Sequence, residues 1–157
     1  MSAAGSARAE SVWAYPRPPR VEPSSEHVTV RFAGRCLADS RRALRVLETS
    51  HPPVYYLPQA DIEMSMLRRG NGASWCEFKG TAVYWGCGRT QAIGWSYPDP
   101  SPGFEQLRDH IAFHPGRVEE ARVDGEPVAP QEGGFYGGWI TSRVIGPFKG
   151  GPGTHGW

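Results

Sequence analysis

The sequence predicts a mainly β fold, and three observations carry that prediction. The chain contains 20 glycines and 15 prolines, together about 22% of its 157 residues, against roughly 12% in average proteins. Residues 27–32 alternate polar and apolar side chains with a period of two, which is typical of a half-buried strand. Asp124-Gly125 is the dipeptide most typical of a type I′ hairpin turn. Turns at this density favour a β domain over a helical bundle.

The amino-terminal part of the chain is predicted to begin with a disordered segment, which is followed by a hairpin. Residues 1–15 are mostly small and polar, and we expect them to be disordered. The strand at 27–32 is followed by an Ala-Gly-Arg turn at 33–35, which leads into a partner strand at 36–38.

The segment after this hairpin has two interpretations. Asp39 and Ser40 are good caps for a helical turn that runs to Arg45. Residues 45–48 suit a strand equally well, because periodicity does not decide over so few residues. Both alternatives stay open at this point.

The central part is predicted to contain further short strands separated by turns. Residues 54–57 are β-prone and are bounded by Pro53 and Pro58. Asp61 is a good N-cap for a brief helix that ends at Leu67. Further strands are predicted at 78–87, 92–97 and 111–113, with two helical turns at 104–110.

The carboxy-terminal part changes character because it is rich in both glycine and aromatic residues. A flexible linker would not carry so many large apolar groups. We therefore predict a disordered segment at 1–15, a single β domain at 16–129, and an arm at 130–157. The arm is expected to pack on the domain or on a partner subunit. Its aromatic residues are Phe135, Tyr136, Trp139, Phe148 and Trp157.

Charge and hydropathy exclude several classes of protein. The net charge is +1, so the chain lacks the basic footprint of a nucleic-acid binder. No run of eighteen apolar residues is present, which argues against a membrane span. The amino terminus lacks the continuous apolar stretch of a secretory signal.

The cysteines argue against a disulfide framework and against a zinc site. Cys36, Cys76 and Cys87 are odd in number and have no Cys-x-x-Cys spacing. Free thiols fit a reducing compartment. We therefore predict a cytoplasmic protein that has no metal site and needs no cofactor.

Reactive side chains are concentrated in residues 48–58 and 74–80. Glu48 and His51 are three residues apart, but Pro52 pushes His51 out of the α region. A turn would still let the carboxylate orient the imidazole, as an acid–base catalyst requires. The alternative is a buried hydrogen-bond network that satisfies an irregular backbone.

Cys76 lies inside this polar block, and with His51 and Glu48 it would complete a nucleophile, a base and an orienting carboxylate. Lys79 would lower the pKa of the thiol or hold an anionic substrate. In a regular strand Cys76 and Lys79 point to opposite faces, so both contribute only if Gly80 permits a bend. Free cysteines are more often small buried hydrophobes, so a catalytic Cys76 is conditional on that bend.

Aromatic residues supply a candidate binding surface. Neighbouring tyrosines in a strand point to opposite faces, so one of Tyr55 and Tyr56 joins the core while the other faces solvent, a pocket or a partner. Tryptophans and tyrosines of the later strands either line a cavity that stacks a flat ligand or build the core. The predicted ligand-binding residues are Tyr55, Tyr56, Lys79, Trp85, Trp95 and Tyr97.

Several short motifs follow one another in a characteristic order between residues 20 and 120. They are FAGR at 32–35, ADS at 38–40, ETSHPP at 48–53, YYLP at 55–58, CEFKG at 76–80, YW at 84–85, WSYP at 95–98 and IAF at 111–113. This series closely resembles the domain of unknown function 427 family, which is sometimes labelled nucleotidyltransferase-like. Residues 130–139 resemble the extension of a longer, actinobacterial-type subgroup.

The resemblance implies a small, strongly bent antiparallel β fold related to the β-tent architecture, with one or two short helices. β-Tent relatives often hold zinc through paired Cys-x-x-Cys motifs, which this chain lacks. Nucleotidyl transfer requires carboxylates for magnesium and a backbone cradle for phosphates. The chain has neither a closely spaced pair of aspartates nor a G-x-x-x-x-G-K-[ST] motif.

Three functions therefore remain open. The first is a domain that binds a small polar or aromatic molecule in a pocket around residues 48–58 and 76–80. The second is a hydrolase or transferase that uses Cys76, His51 and Glu48. The third is a non-catalytic assembly protein, in which the arm builds a homodimer.

Overall fold

The computed structural model describes residues 9–134 and 136–157 and is built mainly from short antiparallel strands, as predicted. Its four helical segments are single 3₁₀ turns at Val12–Ala14, Gln59–Asp61, Met64–Met66 and Glu105–Leu107. The strands are β1 (Glu10–Ser11), β2 (Arg20–Pro23), β3 (Val28–Phe32), β4 (Arg35–Ser40), β5 (Leu44–Leu47), β6 (Val54–Pro58), β7 (Arg68–Cys76), β8 (Gly80–Cys87), β9 (Thr90–Ser96), β10 (His110–Phe113), β11 (Glu120–Val123), β12 (Glu126–Pro127), β13 (Ala129–Pro130), β14 (Trp139–Ile140) and β15 (Val144–Ile145).

Two sheets form the body of the fold. The larger has seven antiparallel strands in the order β2-β5-β6-β10-β9-β8-β7, and the smaller has four in the order β12-β11-β3-β4. β13 pairs with β14, and β1 runs parallel to β15, which ties the two ends of the described chain together. None of the helices in residues 9–134 or 136–157 has the length and apolar character needed to cross a bilayer.

The main core lies between the two sheets. Alternate residues of the larger sheet, such as Leu57 and Ile111, pack against Val28 and Val30 of the smaller sheet. All four are fully buried. The period-two pattern of β3 therefore places its apolar side chains in the core, as the sequence predicts.

The opposite face of the larger sheet carries a second, smaller apolar cluster. Tyr56, Ala112 and Val46 belong to it, together with Phe104 and Leu107 from the loop after β9. Because both faces of the central strands are covered, these strands are buried on each side, and the second cluster forms the base of a cavity.

Both predicted hairpin turns are confirmed. Asp124 and Gly125 have φ values of 49° and 82° between β11 and β12, and Ala33 and Gly34 have 54° and 71° between β3 and β4. Two consecutive positive φ values are the requirement of a type I′ turn, whose twist matches that of the flanking strands.

The predicted helix between Asp61 and Leu67 does not form. Two 3₁₀ turns, Gln59–Asp61 and Met64–Met66, take its place. Asp61 does not cap them, because its carboxylate accepts hydrogen bonds from Ser40 Oγ at 2.7 Å and from the Arg42 guanidinium at 2.7 and 3.2 Å. This chain segment is therefore held by the sheet rather than by local helical bonds.

The structure decides between the two alternatives for residues 39–48 and contains one strand, β7, that the sequence did not predict. Of the two alternatives for residues 39–48, the strand is correct, because β4 continues to Ser40 and β5 covers Leu44–Leu47. β7 was not predicted, since its sequence RRGNGASWC has no apolar alternation. It is an edge strand, and its pairing with β8 is irregular between Arg69 and Ala73.

The expectation of disorder at residues 1–15 does not hold for residues 9–15, while residues 1–8 lie outside the described part. Val12 is fully buried. Tyr15 donates a hydrogen bond of 2.7 Å to Glu10, whose carboxylate accepts from Arg45 at 3.0 Å. The Arg45 side chain is only 4% exposed and also meets Glu22 at 2.6 Å. A buried guanidinium requires such partners, and they order this segment.

The arm contacts the domain of its own chain. Trp139 is fully buried in the main core, and its Nε1 donates to the carbonyl oxygen of Phe113 at 3.0 Å. Arg143 forms a salt bridge with Glu26, which is buried and also accepts from Tyr55 at 2.9 Å. Phe135 lies outside the described residues, and association with a second copy stays a prediction.

We expect Trp139→Ala to destabilise the whole fold, because it empties a core site and leaves the Phe113 carbonyl unpaired. Large aromatic truncations in cores cost about 3–5 kcal/mol in the free energy of unfolding. Trp75→Ala is the matched control, because Trp75 is 74% exposed and its loss should change that free energy by less than about 0.5 kcal/mol. Urea unfolding monitored by circular dichroism measures both; equal effects would contradict the assignment of Trp139 to the core.

Candidate functional site

An open cavity of about 340 Å³ lies on the second face of the seven-stranded sheet. A row of cross-strand partners crosses its floor, since Tyr56 pairs with Ala112, Ala112 with Trp95, and Trp95 with Tyr84. Residues directly opposite one another project from the same face of a sheet. The aromatic members of this row, Tyr56, Trp95 and Tyr84, line the cavity.

Three separate segments form the walls above this floor. One is the turn between β5 and β6 with Glu48 and His51, and the second is the β7–β8 hairpin with Cys76 and Lys79. The third is the arm, which contributes Gln131, Tyr136, Gly137 and Lys149. The sequence-predicted residues Glu48, His51, Cys76, Lys79, Tyr56, Trp95 and Tyr97 all line this cavity.

The turn at residues 48–51 is held on both sides by other parts of the chain. His51 N donates to the Glu48 carbonyl at 3.0 Å, and Ser50 has a positive φ of 71°. The Ser50 amide donates to Val12 O at 3.0 Å, and its carbonyl accepts from Lys149 N at 2.8 Å. The amino-terminal segment and the arm therefore fix the turn that carries Glu48 and His51.

The predicted contact between the Glu48 carboxylate and the His51 imidazole is not formed. Glu48 Oε2 instead lies 3.3 Å from Arg17 Nε. His51 Nδ1 lies 2.9 Å from the carbonyl oxygen of Thr49. Because a carbonyl only accepts, Nδ1 carries the proton and Nε2 is the acceptor nitrogen of the neutral ring. The backbone, rather than a carboxylate, orients the imidazole.

Burial lowers the pKa of His51, and the charges of Lys149 and Arg17 act in the same direction. The Thr49 carbonyl and Glu48 oppose this shift but do not reverse it. The ring packs edge-on against Tyr136, with centroids 5.1 Å apart. His51 is therefore a neutral hydrogen-bonding group at pH 7.

The β7–β8 hairpin satisfies the condition placed on Cys76 and Lys79. β7 ends at Cys76, which pairs with Gly80, so residues 77–79 form the turn and both side chains reach the cavity. Gly80 has φ of +110°, a conformation that residues with a Cβ rarely adopt.

The surroundings of Cys76 are phenolic. The thiol is close enough to Tyr56 and Tyr97 to affect the ionisation of both. Within the described residues, Cys76 Sγ has no hydrogen bond to the His51 ring. The nucleophile and the base of the hydrolase hypothesis therefore share a cavity without a direct contact.

The phenols of Tyr56 and Tyr97, which both line the cavity, stay protonated at physiological pH. Burial strongly raises the pKa of Tyr56 and of Tyr97, and their electrostatic interactions with Cys76 add to the increase. Trp95 Nε1 donates to Tyr56 Oη at 3.1 Å, and this hydrogen bond opposes part of the shift of Tyr56. The two phenols also hydrogen-bond to each other, which leaves one O–H of the pair as a donor for a bound molecule.

Trp95 forms the junction between the floor and the arm. Its ring centroid lies 4.6 Å from that of His114. A Cβ at Gly137 would collide with the Trp95 ring, so the arm backbone lies directly on the indole. Glycine is required here by the close approach.

Two predicted ligand-binding residues, Tyr55 and Trp85, do not line the cavity. Tyr55 lies on the opposite face of β6 from Tyr56 and packs in the main core beside Trp139. Trp85 follows Tyr84 in β8, packs against the main core, and donates from Nε1 to Ser96 Oγ at 2.9 Å. Strand alternation excludes both from the cavity face.

Other residues of the cavity were not predicted from the sequence. The alternation of β8 is a signal for Tyr84, because it faces away from Trp85. The residues of the arm carried no comparable local signal. The lining residues that the sequence did not predict include Tyr84, His114, Gln131, Tyr136 and Lys149. Within the ranges 9–134 and 136–157, no three His, Cys, Asp or Glu side chains converge as metal ligands.

The fold and the site together define a small antiparallel β protein with an aromatic-floored cavity on one face of its largest sheet. The chain belongs to the family described as domain of unknown function 427, whose family model matches residues 20–124. The floor, the β5–β6 turn and the β7–β8 hairpin lie inside that range, whereas the arm lies outside it. No curated protein matches the chain.

We expect the reactivity of Cys76 to be independent of His51. The alkylation rate of Cys76 with iodoacetamide should change by less than about twofold in His51→Ala, since no hydrogen bond links the thiol to the ring. Exposed Cys36 and buried Cys87 are internal controls in the same mass-spectrometric measurement. A tenfold loss confined to Cys76 would contradict this and would support the Cys–His hypothesis.

We expect His114 to make the protein less stable in mild acid. Burial, assisted by Arg117, lowers the pKa of His114 from its usual 6.5 to about 4. The unfolded chain therefore binds a proton that the folded protein resists, so stability falls as the pH drops below about 6.5. At pH 5 this group should remove about 2 kcal/mol relative to pH 7.5.

The His114 contribution is measured by urea unfolding at the two pH values. His114→Gln should reduce the pH-dependent difference by that amount, whatever its effect on stability at pH 7.5. His155→Gln, at an exposed position, should keep the parent difference. An unchanged difference in His114→Gln would contradict the expected protonation.

Proposed function

We propose that the protein binds a small polar or aromatic molecule in the cavity on the second face of the seven-stranded sheet. The observation that carries this proposal is the convergence of three chain segments on one open space of about 340 Å³. Ligand pockets have volumes of roughly 300–1,000 Å³ and combine apolar walls with a few polar groups. This cavity has both features.

The aromatic part of the cavity suits a flat molecule. Trp95 lies in the floor, Tyr136 stands on the arm, and Trp75 borders the mouth from the edge strand β7. Trp75 is 74% exposed, so its indole is accessible to a molecule that enters the cavity. Rings of this kind gain energy by stacking on another planar system.

The polar part provides groups of fixed hydrogen-bonding character. The hydrogen-bonded pair of Tyr56 and Tyr97 offers one O–H donor, and the neutral His51 ring offers an acceptor nitrogen. Because secondary structure or backbone bonds hold these groups in place, a ligand meets a pre-organised set and loses less free energy in ordering them.

The test is a thermal-shift screen of metabolites and nucleosides, followed by calorimetry of each compound that raises the midpoint of unfolding. We expect a compound that contains a planar ring to bind with 1:1 stoichiometry. Trp75→Ala should weaken its affinity about tenfold, which corresponds to roughly 1.4 kcal/mol of stacking.

Trp13→Ala is the matched control, because Trp13 is also partly exposed but lies outside the cavity. It should leave the affinity within about twofold of the parent protein. A screen in which no compound binds, or one in which Trp13→Ala and Trp75→Ala act equally, would overturn the proposal.

A further inference from the structure

Building on the proposed function, we propose that the cavity selects planar molecules that carry an anionic group, and that Lys79 and Lys149 hold this group. The presence of a cavity alone does not determine the charge of its ligand. Lys79 belongs to the region that matches the family, and Lys149 belongs to the arm.

The distribution of lysine in the chain is the first support. Of its 17 basic residues, 15 are arginines and only two are lysines. Both lysines, Lys79 and Lys149, line the same cavity although 70 positions separate them. A lysine ammonium is a compact charge with three donors on a flexible stem, so it adapts to an anion approaching from several directions.

The placement of the two ammonium groups is the second support. Lys79 Nζ lies 6.0 Å from the centroid of the Tyr97 ring, and Lys149 Nζ lies 5.6 Å from that of Tyr136. Contacts at this distance favour the ammonium over the aromatic surface. Neither lysine forms an ion pair with the carboxylates of the described residues.

The neighbouring carboxylates do not cancel this charge. Glu48 and Glu77 line the cavity, but Glu48 already pairs with Arg17 at 3.3 Å. Arg17, Lys79 and Lys149 together therefore carry one more charge than the carboxylates of Glu48 and Glu77. The phenols of Tyr56 and Tyr97 hydrogen-bond to each other, which leaves one O–H donor of the pair, and such a donor also favours an anionic oxygen over a neutral one.

The ring of the ligand and its anionic group would be held by different parts of the site. The aromatic floor and Trp75 would hold the ring, while Lys79 and Lys149 would meet the charged group. A carboxylate on a flat ring is the simplest molecule with both features. The shape requirement and the charge requirement are therefore separable by experiment.

Three matched probes make this separation. They are 2-naphthoate, its neutral amide 2-naphthamide, and the saturated anion decalin-2-carboxylate. In calorimetry at low salt, we expect 2-naphthoate to bind at least tenfold more tightly than either analogue. Equal affinity for the naphthoate and the amide, or no binding of the naphthoate, would overturn the anionic assignment.

Substitutions of the two lysines test whether their positive charges hold the anionic group of the ligand. Lys79→Met and Lys149→Met should each weaken the binding of 2-naphthoate about fivefold or more, because a charge-assisted contact is lost. They should leave any binding of 2-naphthamide within twofold. Arg89→Met removes one positive charge at an exposed turn outside the cavity and should have no effect on either probe.

Chemical protection gives a second readout that does not depend on variants. Lys79 and Lys149 are the two lysines of the sequence, so the side chains labelled by reductive dimethylation with formaldehyde and cyanoborohydride both belong to the cavity. Saturating 2-naphthoate should slow the labelling of both lysines severalfold, while the terminal α-amine keeps its rate as an internal control. Unchanged labelling of both lysines would overturn the proposal.

The outcomes distinguish this inference from the proposed function on which it rests. A neutral planar compound that binds, needs Trp75 and ignores both lysine substitutions would leave the proposed function standing and would refute the anionic selectivity. A screen without any binding compound would refute both.

Discussion

The structure depends on the requirement that the central strands of the seven-stranded sheet be covered on both faces. Because side chains alternate along a strand, each of these strands must supply two different surfaces. Tyr55 and Leu57 of β6 face the main core, while Tyr56 faces the cavity. One sequence of five residues in β6 thus contributes to the stability of the fold and to the candidate site, and a shift of register by one residue would exchange the two.

The cavity is formed by the domain and the arm together. The floor and two of the walls come from the region that matches the family, and the remaining wall comes from residues 131–149. Trp139 anchors that wall in the main core, and Gly137 brings its backbone onto Trp95. The arm is therefore a structural part of this chain, since its removal would open the cavity and empty a core position.

The sequence predicted the β class, the hairpin turn at 33–35, the type I′ turn at 124–125 and most of the reactive residues that line the cavity, because alternation, turn dipeptides and clusters of reactive residues are local signals. It did not predict the partner of Glu48, since Arg17 is remote along the chain and only the fold brings the two together.

Strand alternation correctly placed neighbouring residues on opposite faces of the sheet. It did not predict which of the two faces belongs to the main core and which to the cavity. Trp85 was therefore predicted to be a ligand-binding residue, although its neighbour Tyr84 is the one that lines the cavity. The cavity residues of the arm could not be predicted from the sequence for another reason. The packing of a glycine-rich segment follows from tertiary contacts rather than from local propensity. The strand β7 was missed because its glycines and arginines suit an exposed edge and no buried face.

The edge strand β7 also has a consequence for solubility. An open edge offers unpaired backbone groups to a second sheet, and this is a common route to aggregation. Here the irregular register between Arg69 and Ala73 interrupts the straight row of donors and acceptors. Arg68 and Arg69 add two exposed positive charges at the start of the strand, which repel an identical edge at low ionic strength. The strand that borders the cavity is thus protected against sheet-to-sheet association by its own sequence.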